Sequence, residues 1–104
     1  MEAIPLDDLS ALLQVTEETV FDTFRKRFEK ERQIYSYIGE ILVAVNPFAD
    51  IGVYNQHKMT EYRNKFKFDN PPHTLAMANH AYHAMIHEKR NQRILVTIYF
   101  LRLQ

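Results

Sequence analysis

Cysteine is absent from the 104-residue sequence, and glycine occurs only twice. Without cysteine the chain can form neither disulfides nor thiolate metal sites, and the composition is mildly favourable for a cytosolic protein. The sequence also lacks a net charge, because thirteen basic residues balance thirteen acidic ones. No overall field therefore attracts nucleic acid or an anionic membrane, and we expect neither as a partner.

Long apolar runs are also missing. The longest, Ile94 to Leu101, is far too short to span a bilayer, and the acidic start MEAIPLDDLS lacks the pattern of a signal peptide. The length allows at most one small domain with a modest core. An apolar fraction of 46% and a charged fraction of 25% are those of an ordinary soluble globular protein.

Apolar periodicity and capping residues predict four helices. They are a short one in DDLSALL capped by Asp7 or Asp8, then Thr16–Glu29, Asn55–Asn64, and a last one from His73 or Thr74 to about Glu88. In the second helix, Val20, Phe24 and Phe28 recur at four-residue spacing and form the expected buried stripe. The apolar residues that share one face of the last helix are Leu75, Ala78, Tyr82, Met85 and Ile86.

Strand-forming segments lie between these helices and after them. β-branched and aromatic residues predict strands at Ile34–Ile38 and Ile41–Val45, and the second is expected to be buried on both faces. The run RILVTIYFLRL, starting at Arg93, predicts a closing strand. Helices that alternate with strands in this way indicate a mixed α/β fold.

Two local patterns could indicate other kinds of site. His80, His83 and His87 are spaced so that they could hold zinc or copper on one helical face. They lie opposite the apolar face of that helix, so we interpret them as solvated surface residues. The basic run RKRFEKER, Arg25–Arg32, is diluted by glutamates and is interpreted as the solvated end of a helix rather than a nucleic-acid contact.

No catalytic set can be assembled from the sequence with any spacing logic. A Ser-His-Asp combination would be a chance selection. The acidic residues at the starts of the first two helices, Asp7, Asp8, Glu17 and Glu18, are capping residues before they are acid–base candidates. We therefore predict no catalytic residues and no metal site.

The chain from about Asp7 to Thr97 resembles the beginning of the myosin motor domain. The resemblance is carried by DDLSALL, TEETVFDTF, KRF, IYSYIGEILVAVNPF, GVY, NPPHTLAMANHAY and NQRILVT, in the family's order and spacing. It implies an N-terminal part of a P-loop NTPase-type head, with helices and a few central-sheet strands, in residues 1–97. Residues 98–104 depart from the family pattern and form a separate tail.

The resemblance also implies a site. In myosins an Asn-Pro pair, with a tyrosine eight residues after the asparagine, borders the purine of ATP, and here the pattern falls on Asn46, Pro47 and Tyr54. A tyrosine face can pack on adenine, and an asparagine offers both donor and acceptor to a base or ribose. The alternative is that Asn46 and Pro47 simply end a strand and Tyr54 packs on the core.

ATP with Mg²⁺ as cofactor, actin as partner and a cytoplasmic, cytoskeleton-associated location are what the family implies. The Walker A pattern G-x-x-x-x-G-K-[ST] is absent, since neither Gly39 nor Gly52 precedes a lysine. The switch loops and actin-binding surfaces that the family places later are not in this sequence. We therefore expect an inactive fragment of an actin-based motor.

The alternative function is a non-enzymatic fragment that binds a protein partner or regulates it. Ile94 to Leu101 combines high β-propensity with no proline and no charge, which favours self-association through an exposed strand edge.

Overall fold

The computed structural model describes residues 7–12 and 14–98. A short 3₁₀ helix, Leu9–Ala11, comes first. It is followed by α1 (Glu17–Glu31), β1 (Tyr35–Ile38), β2 (Ile41–Ala44), α2 (Gln56–Tyr62) and α3 (Thr74–His87). The described residues thus contain three α-helices and one two-stranded sheet, which agrees with the predicted α/β class.

The two strands form a tight antiparallel hairpin. Tyr35 lies opposite Ala44 and Ile38 opposite Ile41, so the connecting turn has only two residues. Gly39 opens this turn with a φ of +61°, which a residue bearing a Cβ rarely adopts. Glycine at the first position of a two-residue turn is typical of the type II′ geometry, whose twist matches that of paired strands.

The N-terminal segment lies along the other edge of β1. The Asp7 carbonyl accepts the Tyr37 N–H at 2.8 Å, which creates a parallel bridge beside the strand. One Asp8 carboxylate oxygen accepts the N–H groups of Ser10 at 2.9 Å and Gly39 at 3.1 Å, so it caps the 3₁₀ helix and ties it to the hairpin turn. Hydrogen bonds from the Ser10 hydroxyl and these amides lower the pKa of Asp8.

Arg27 extends this tie from α1. Its guanidinium Nη2 donates to the Asp7 carboxylate and to the Tyr35 carbonyl, each at 3.0 Å, and the side chain is only 1% exposed. The interpretation of Arg25–Arg32 as a solvated helix end is therefore wrong at Arg27. Helical geometry points this residue at the edge of β1, where an unpaired strand carbonyl needs a donor.

Helix α1 begins as predicted and ends two residues later. Thr16 caps it through a reciprocal pair of bonds with Thr19, and Arg32 ends it in the left-handed conformation with a φ of 56°. The expected stripe of Val20, Phe24 and Phe28 is half-buried rather than buried.

The second and third α-helices begin at the predicted positions, and each has a side-chain cap. Asn55 accepts the Lys58 N–H at 2.8 Å at the start of α2, and His73 Nδ1 accepts the Leu75 N–H at 3.0 Å at the start of α3. None of the helices in residues 7–12 and 14–98 combines the length and apolar character that crossing a bilayer requires.

The expectation that the second strand is buried on both faces is wrong. It is β1 that is buried, whereas β2 is partly exposed and its first residue, Ile41, is 64% exposed. The side chains of a strand point to the two faces of the sheet and are buried only where other elements cover those faces. Within the described residues β2 contacts mainly β1, whereas β1 also packs against the 3₁₀ helix.

The apolar face of α3 is exposed as well. Ala76 is the buried residue of this helix, whereas Tyr82, Met85 and Ile86 are exposed. Helix α3 contacts the shorter α2, and its N-cap residue His73 lies against Tyr62 of α2.

The predicted closing strand does not form in the residues that are described. Residues 89–98 have neither helix nor strand, and Ile94, Leu95, Val96 and Ile98 are all exposed. The described part of the chain supplies no strand beside them, and an isolated strand is not stable in water. The rest of the predicted strand, residues 99–103, lies outside the described residues.

Candidate functional site

The loop that follows β2 carries the three residues predicted to border a purine. Asn46 ends the strand region and its side-chain oxygen accepts the Phe48 N–H at 2.8 Å, a turn that asparagine commonly makes. No hydrogen bond within the described part of the chain occupies its amide N–H₂ group. Pro47 is half-buried between these two residues. Asn46 thus has the strand-ending role that the alternative assigned to it, and its amide N–H₂ group remains available as a donor.

Tyr54, at the other end of the loop, is held by its hydroxyl. The hydroxyl is hydrogen-bonded to the Tyr35 hydroxyl of β1, and to Thr74 Oγ1 at the start of α3 at 2.8 Å. The residue is nevertheless 61% exposed. Tyr54 is therefore fixed at its polar tip and open to solvent over much of its surface. Its ring also lies against the buried His73, so the alternative in which it packs on the core holds in part.

His73 lies at the centre of an aromatic cluster, which consists of His73, Tyr35, Tyr54 and Tyr62. The centroid of the imidazole is 4.9 Å from that of Tyr35, 5.0 Å from Tyr54 and 5.1 Å from Tyr62. The Tyr54 ring meets it edge-on at an interplanar angle of 68°, a favourable geometry for aromatic pairs. The imidazole is only 3% exposed.

The hydrogen bonds of His73 settle its tautomer. Nδ1 accepts the Leu75 N–H, so the ring proton is on Nε2, which donates to the Val53 carbonyl at 2.8 Å. Burial lowers the pKa of His73, the bond to Val53 raises it and the charge of Lys58 lowers it again, with a net downward shift. The neutral ring is thus the form that fits this cluster at neutral pH.

The tyrosines of the cluster resist ionisation. Burial raises the pKa of Tyr35 to about 12 and that of Tyr62 to about 12. Tyr62 also donates its hydroxyl proton to the Pro71 carbonyl at 2.6 Å. Their hydroxyl groups are therefore neutral donors and acceptors that hold the cluster together.

These shifts predict alkaline unfolding. Below pH about 10, Tyr35 and Tyr62 are protonated in both the folded and the unfolded chain. Between pH about 10 and 12 the unfolded chain has lost protons that the folded chain keeps, so the free energy of unfolding falls as the pH rises. Circular dichroism and tyrosinate absorbance should change together in this window. Tyrosinate absorbance that saturates near pH 10 with the helices intact would contradict the prediction.

A small cavity of about 100 Å³ adjoins the cluster. It is lined by Arg32, Gln33, Ile34, Tyr35, Val53, Lys58, Tyr62, Pro71, Pro72 and His73. None of the three predicted purine residues lines it, and no described hydrogen bond joins Asn46 to Tyr54. The loop therefore presents its residues at the surface and does not enclose them.

The histidines of α3 are largely on the surface. His80 and His87 are exposed and His83 is half-buried, with the rings of His83 and His87 stacked at 5.3 Å. Among the described residues, no three or more histidine, aspartate or glutamate side chains are grouped to hold a metal ion.

The sequence predicts His73 at the start of the last helix but does not reveal its central position in the cluster. Its partners Val53, Tyr35 and Tyr62 are distant in sequence, so the local pattern does not show them. The available signal was an imidazole between a double proline and a helix start, in a chain with six tyrosines. That signal places a histidine at a helix end, but it does not reveal which rings surround it.

The comparisons with known proteins agree on one family. The family model described as myosin head (motor domain) matches residues 6–98. The sequence is 40% identical over 92 residues to Myosin-1 of Malassezia globosa, covering 88% of this chain and 7% of that protein. It is 41% identical over 93 residues to the myosin IC heavy chain of Dictyostelium discoideum, covering 88% of this chain and 8% of that protein. The chain thus spans less than a tenth of the length of these relatives.

Proposed function

Because the chain belongs to the myosin head (motor domain) family, we propose that it forms the base-binding side of the ATP site of an actin-based motor. Asn46, Pro47 and Tyr54 would border the purine. The observation that carries this proposal is the way in which Tyr54 is held. Its hydroxyl is hydrogen-bonded to Tyr35 and Thr74, and the residue is nevertheless 61% exposed. An aromatic side chain fixed at one end and open to solvent can pack against a flat base without a further ordering cost.

Asn46 would supply the polar contact. Its side-chain oxygen is engaged by the Phe48 N–H, so the group it offers to a ligand is the amide N–H₂. That group would donate to an acceptor of the base or ribose. Pro47 would stiffen the turn between this donor and the rest of the loop.

The 104 residues alone are not expected to hydrolyse ATP. The sequence has no Walker A pattern to hold the phosphates, and phosphoryl transfer depends almost entirely on positioning and charge stabilisation. With adenine contacts only, about ten heavy atoms at roughly −0.3 kcal/mol each give about −3 kcal/mol, weaker than millimolar. ATP and Mg²⁺ would be bound usefully only where further motor sequence supplies the phosphate side.

The hairpin would be one part of a larger P-loop NTPase-type sheet. The open outer edge of β2 and the exposed apolar residues of α3 and of residues 94–98 support this proposal, because such surfaces are normally covered. We assign residues 1–97 to the motor domain and 98–104 to a separate tail. Actin would be the partner of the complete motor, in the cytoplasm on the cytoskeleton.

The exposed apolar surfaces favour a second candidate, a non-enzymatic role in binding a protein partner. Residues 94–98 contain no charge, and Leu95 is 92% exposed. Self-association through this segment is the form of binding that we propose for the chain alone.

An ATP titration of a monodisperse sample tests both parts of the proposal, the weak contact with the base and the lack of a phosphate site. Calorimetry in Mg²⁺ should show no micromolar binding, since a micromolar Kd would require a phosphate site. NMR of the tyrosine rings up to about 20 mM ATP should shift the Tyr54 signal, because the expected Kd is above millimolar. In the Tyr54→Ala variant, ATP should no longer shift the NMR signals of the loop.

Tyr82→Ala is the matched control for that experiment. Tyr82 is similarly exposed, at 58%, but lies on α3 outside the loop. Its removal should leave the ATP response unchanged. Equal loss of the response in both variants, or no shift of the Tyr54 signal in the unchanged chain, would contradict the base-binding proposal.

A further inference from the structure

His73 joins two segments that meet beside Tyr54. Through Nε2–H it holds the carbonyl of Val53, the residue before Tyr54, at 2.8 Å. Through Nδ1 it accepts the Leu75 N–H at 3.0 Å in the first turn of α3. One neutral, buried ring therefore fixes the backbone of the loop relative to the helix start.

The same helix start also holds the tip of Tyr54. Thr74, which follows His73 in the chain, is hydrogen-bonded to the Tyr54 hydroxyl through Oγ1 at 2.8 Å. The Tyr54 ring itself rests edge-on against the imidazole, with 5.0 Å between centroids. The Val53 backbone, the Tyr54 ring and the Tyr54 hydroxyl thus all contact one short segment, His73–Thr74, and the hydroxyl has Tyr35 as its second partner.

We infer that His73 is a positioning residue for the base site, which in its neutral form holds Val53 and Tyr54 in the conformation that receives the base. The inference rests on the function proposed above and adds a residue that need not touch the ligand. A site residue held in place beforehand loses less conformational entropy on binding.

Protonation of His73 should release this hold. A second proton on Nδ1 removes the acceptor for the Leu75 N–H and turns the helix cap into a clash of two donors. The titratable groups that face His73 from other elements are Tyr35 and Tyr37 of β1, Tyr54 of the loop, and Lys58 and Tyr62 of α2. The only charge among them at neutral pH is that of Lys58, which opposes the protonated ring.

The matched variant is His73→Asn. Asparagine is among the preferred helix caps, so the start of α3 is kept, but its side chain lacks the ring and the Nε2–H group that holds Val53. In the 104-residue chain, the ATP-induced shift of the Tyr54 ring signal at a fixed subsaturating ATP concentration should fall about fivefold, the effect of one lost hydrogen bond. Circular dichroism should show that α3 remains helical.

A pH series on the unchanged chain gives an independent readout. The ¹⁵N signals of His73 should show the Nε2–H tautomer at neutral pH. The ATP-induced Tyr54 shift should decrease with the same midpoint as the protonation of His73, below the ordinary value of about 6.5 for histidine. A purely structural role would not make the two midpoints coincide while the helices persist.

The outcomes separate the two claims. If the unchanged chain shows no ATP-dependent Tyr54 shift, the proposed function is overturned and this inference with it. If the shift is present and is equally large with His73→Asn, or if it does not change when His73 is protonated, only the positioning role is overturned. If His73→Asn unfolds the chain, the pH series alone decides between these results.

Discussion

Replacing Arg27 by alanine is expected to remove a large part of the stability of the chain. The guanidinium donates to Asp7 and to the Tyr35 carbonyl from a position that is 1% exposed, so it ties α1, the N-terminal segment and β1 together. Arg27→Ala removes both bonds, leaves a buried carbonyl without this donor and opens a cavity. Together these should lower the free energy of unfolding by about 3–5 kcal/mol. A domain of this size has about 5–15 kcal/mol of stability, so the variant should unfold at a clearly lower urea concentration.

Urea unfolding followed by circular dichroism measures this loss, and Lys26→Ala provides the matched control. Lys26 precedes Arg27 on the same helix, but its ion pair with Asp22, at 3.0 Å, is solvent-exposed. Removing it should cost no more than about 0.5 kcal/mol. Equal midpoints for the two variants would show that Arg27 does not tie the three segments together.

Adding one charge to residues 94–98 is expected to convert self-associated chain into monomer. Leu95 is 92% exposed and lies in an uncharged segment with high β-propensity, a combination that favours pairing between copies. The net charge of zero offers no long-range repulsion against that pairing. Leu95→Lys places a positive charge in every copy at the point of contact, and should weaken association about tenfold or more.

Light scattering after size exclusion measures the mass of the species, which should approach the 12.4 kDa of the monomer. Phe66→Lys is the control, since Phe66 is 85% exposed but lies in the loop between α2 and α3. It adds the same charge to the chain without altering the segment. If both variants dissociate equally, net charge rather than residues 94–98 governs association.

The local features of the fold could be predicted from the sequence because their causes are local. Thr16 caps its helix as predicted, the other two helices begin at Asn55 and His73 where the pattern placed them, and the two residues between the predicted strands form the hairpin turn. Capping and turn geometry depend on residues within four positions of each other, so a single stretch of sequence contains the information.

Burial could not be predicted in the same way. The composition of Ile41–Val45 predicts a buried strand, and that of the run RILVTIYFLRL predicts a closing one, but burial depends on neighbours that the described residues do not provide. Arg27 was missed for the opposite reason. A charged residue in a basic run is usually solvated, and only the position of the β1 edge shows why this one is not.

The candidate site could be predicted from the sequence only through its resemblance to a family. Asn46, Pro47 and Tyr54 were named from a pattern, and their role remains a proposal. The cluster that holds Tyr54 joins residues 19 and 20 positions apart, Tyr35 with Tyr54 and Val53 with His73. Contacts between residues so far apart leave no signature in local periodicity. The way in which Tyr54 is held therefore became visible only in the structure.

The two edges of the hairpin differ in a way that limits how copies of the chain can assemble. On β1, the outward carbonyl of Tyr35 and the outward N–H of Tyr37 are already occupied by Arg27 and Asp7. Of the two described strands β2 alone has a free edge, so a β2-to-β2 contact would use the same surface on both subunits. That arrangement is isologous and closes at two copies by twofold symmetry, whereas a sheet with two free edges could grow into a filament.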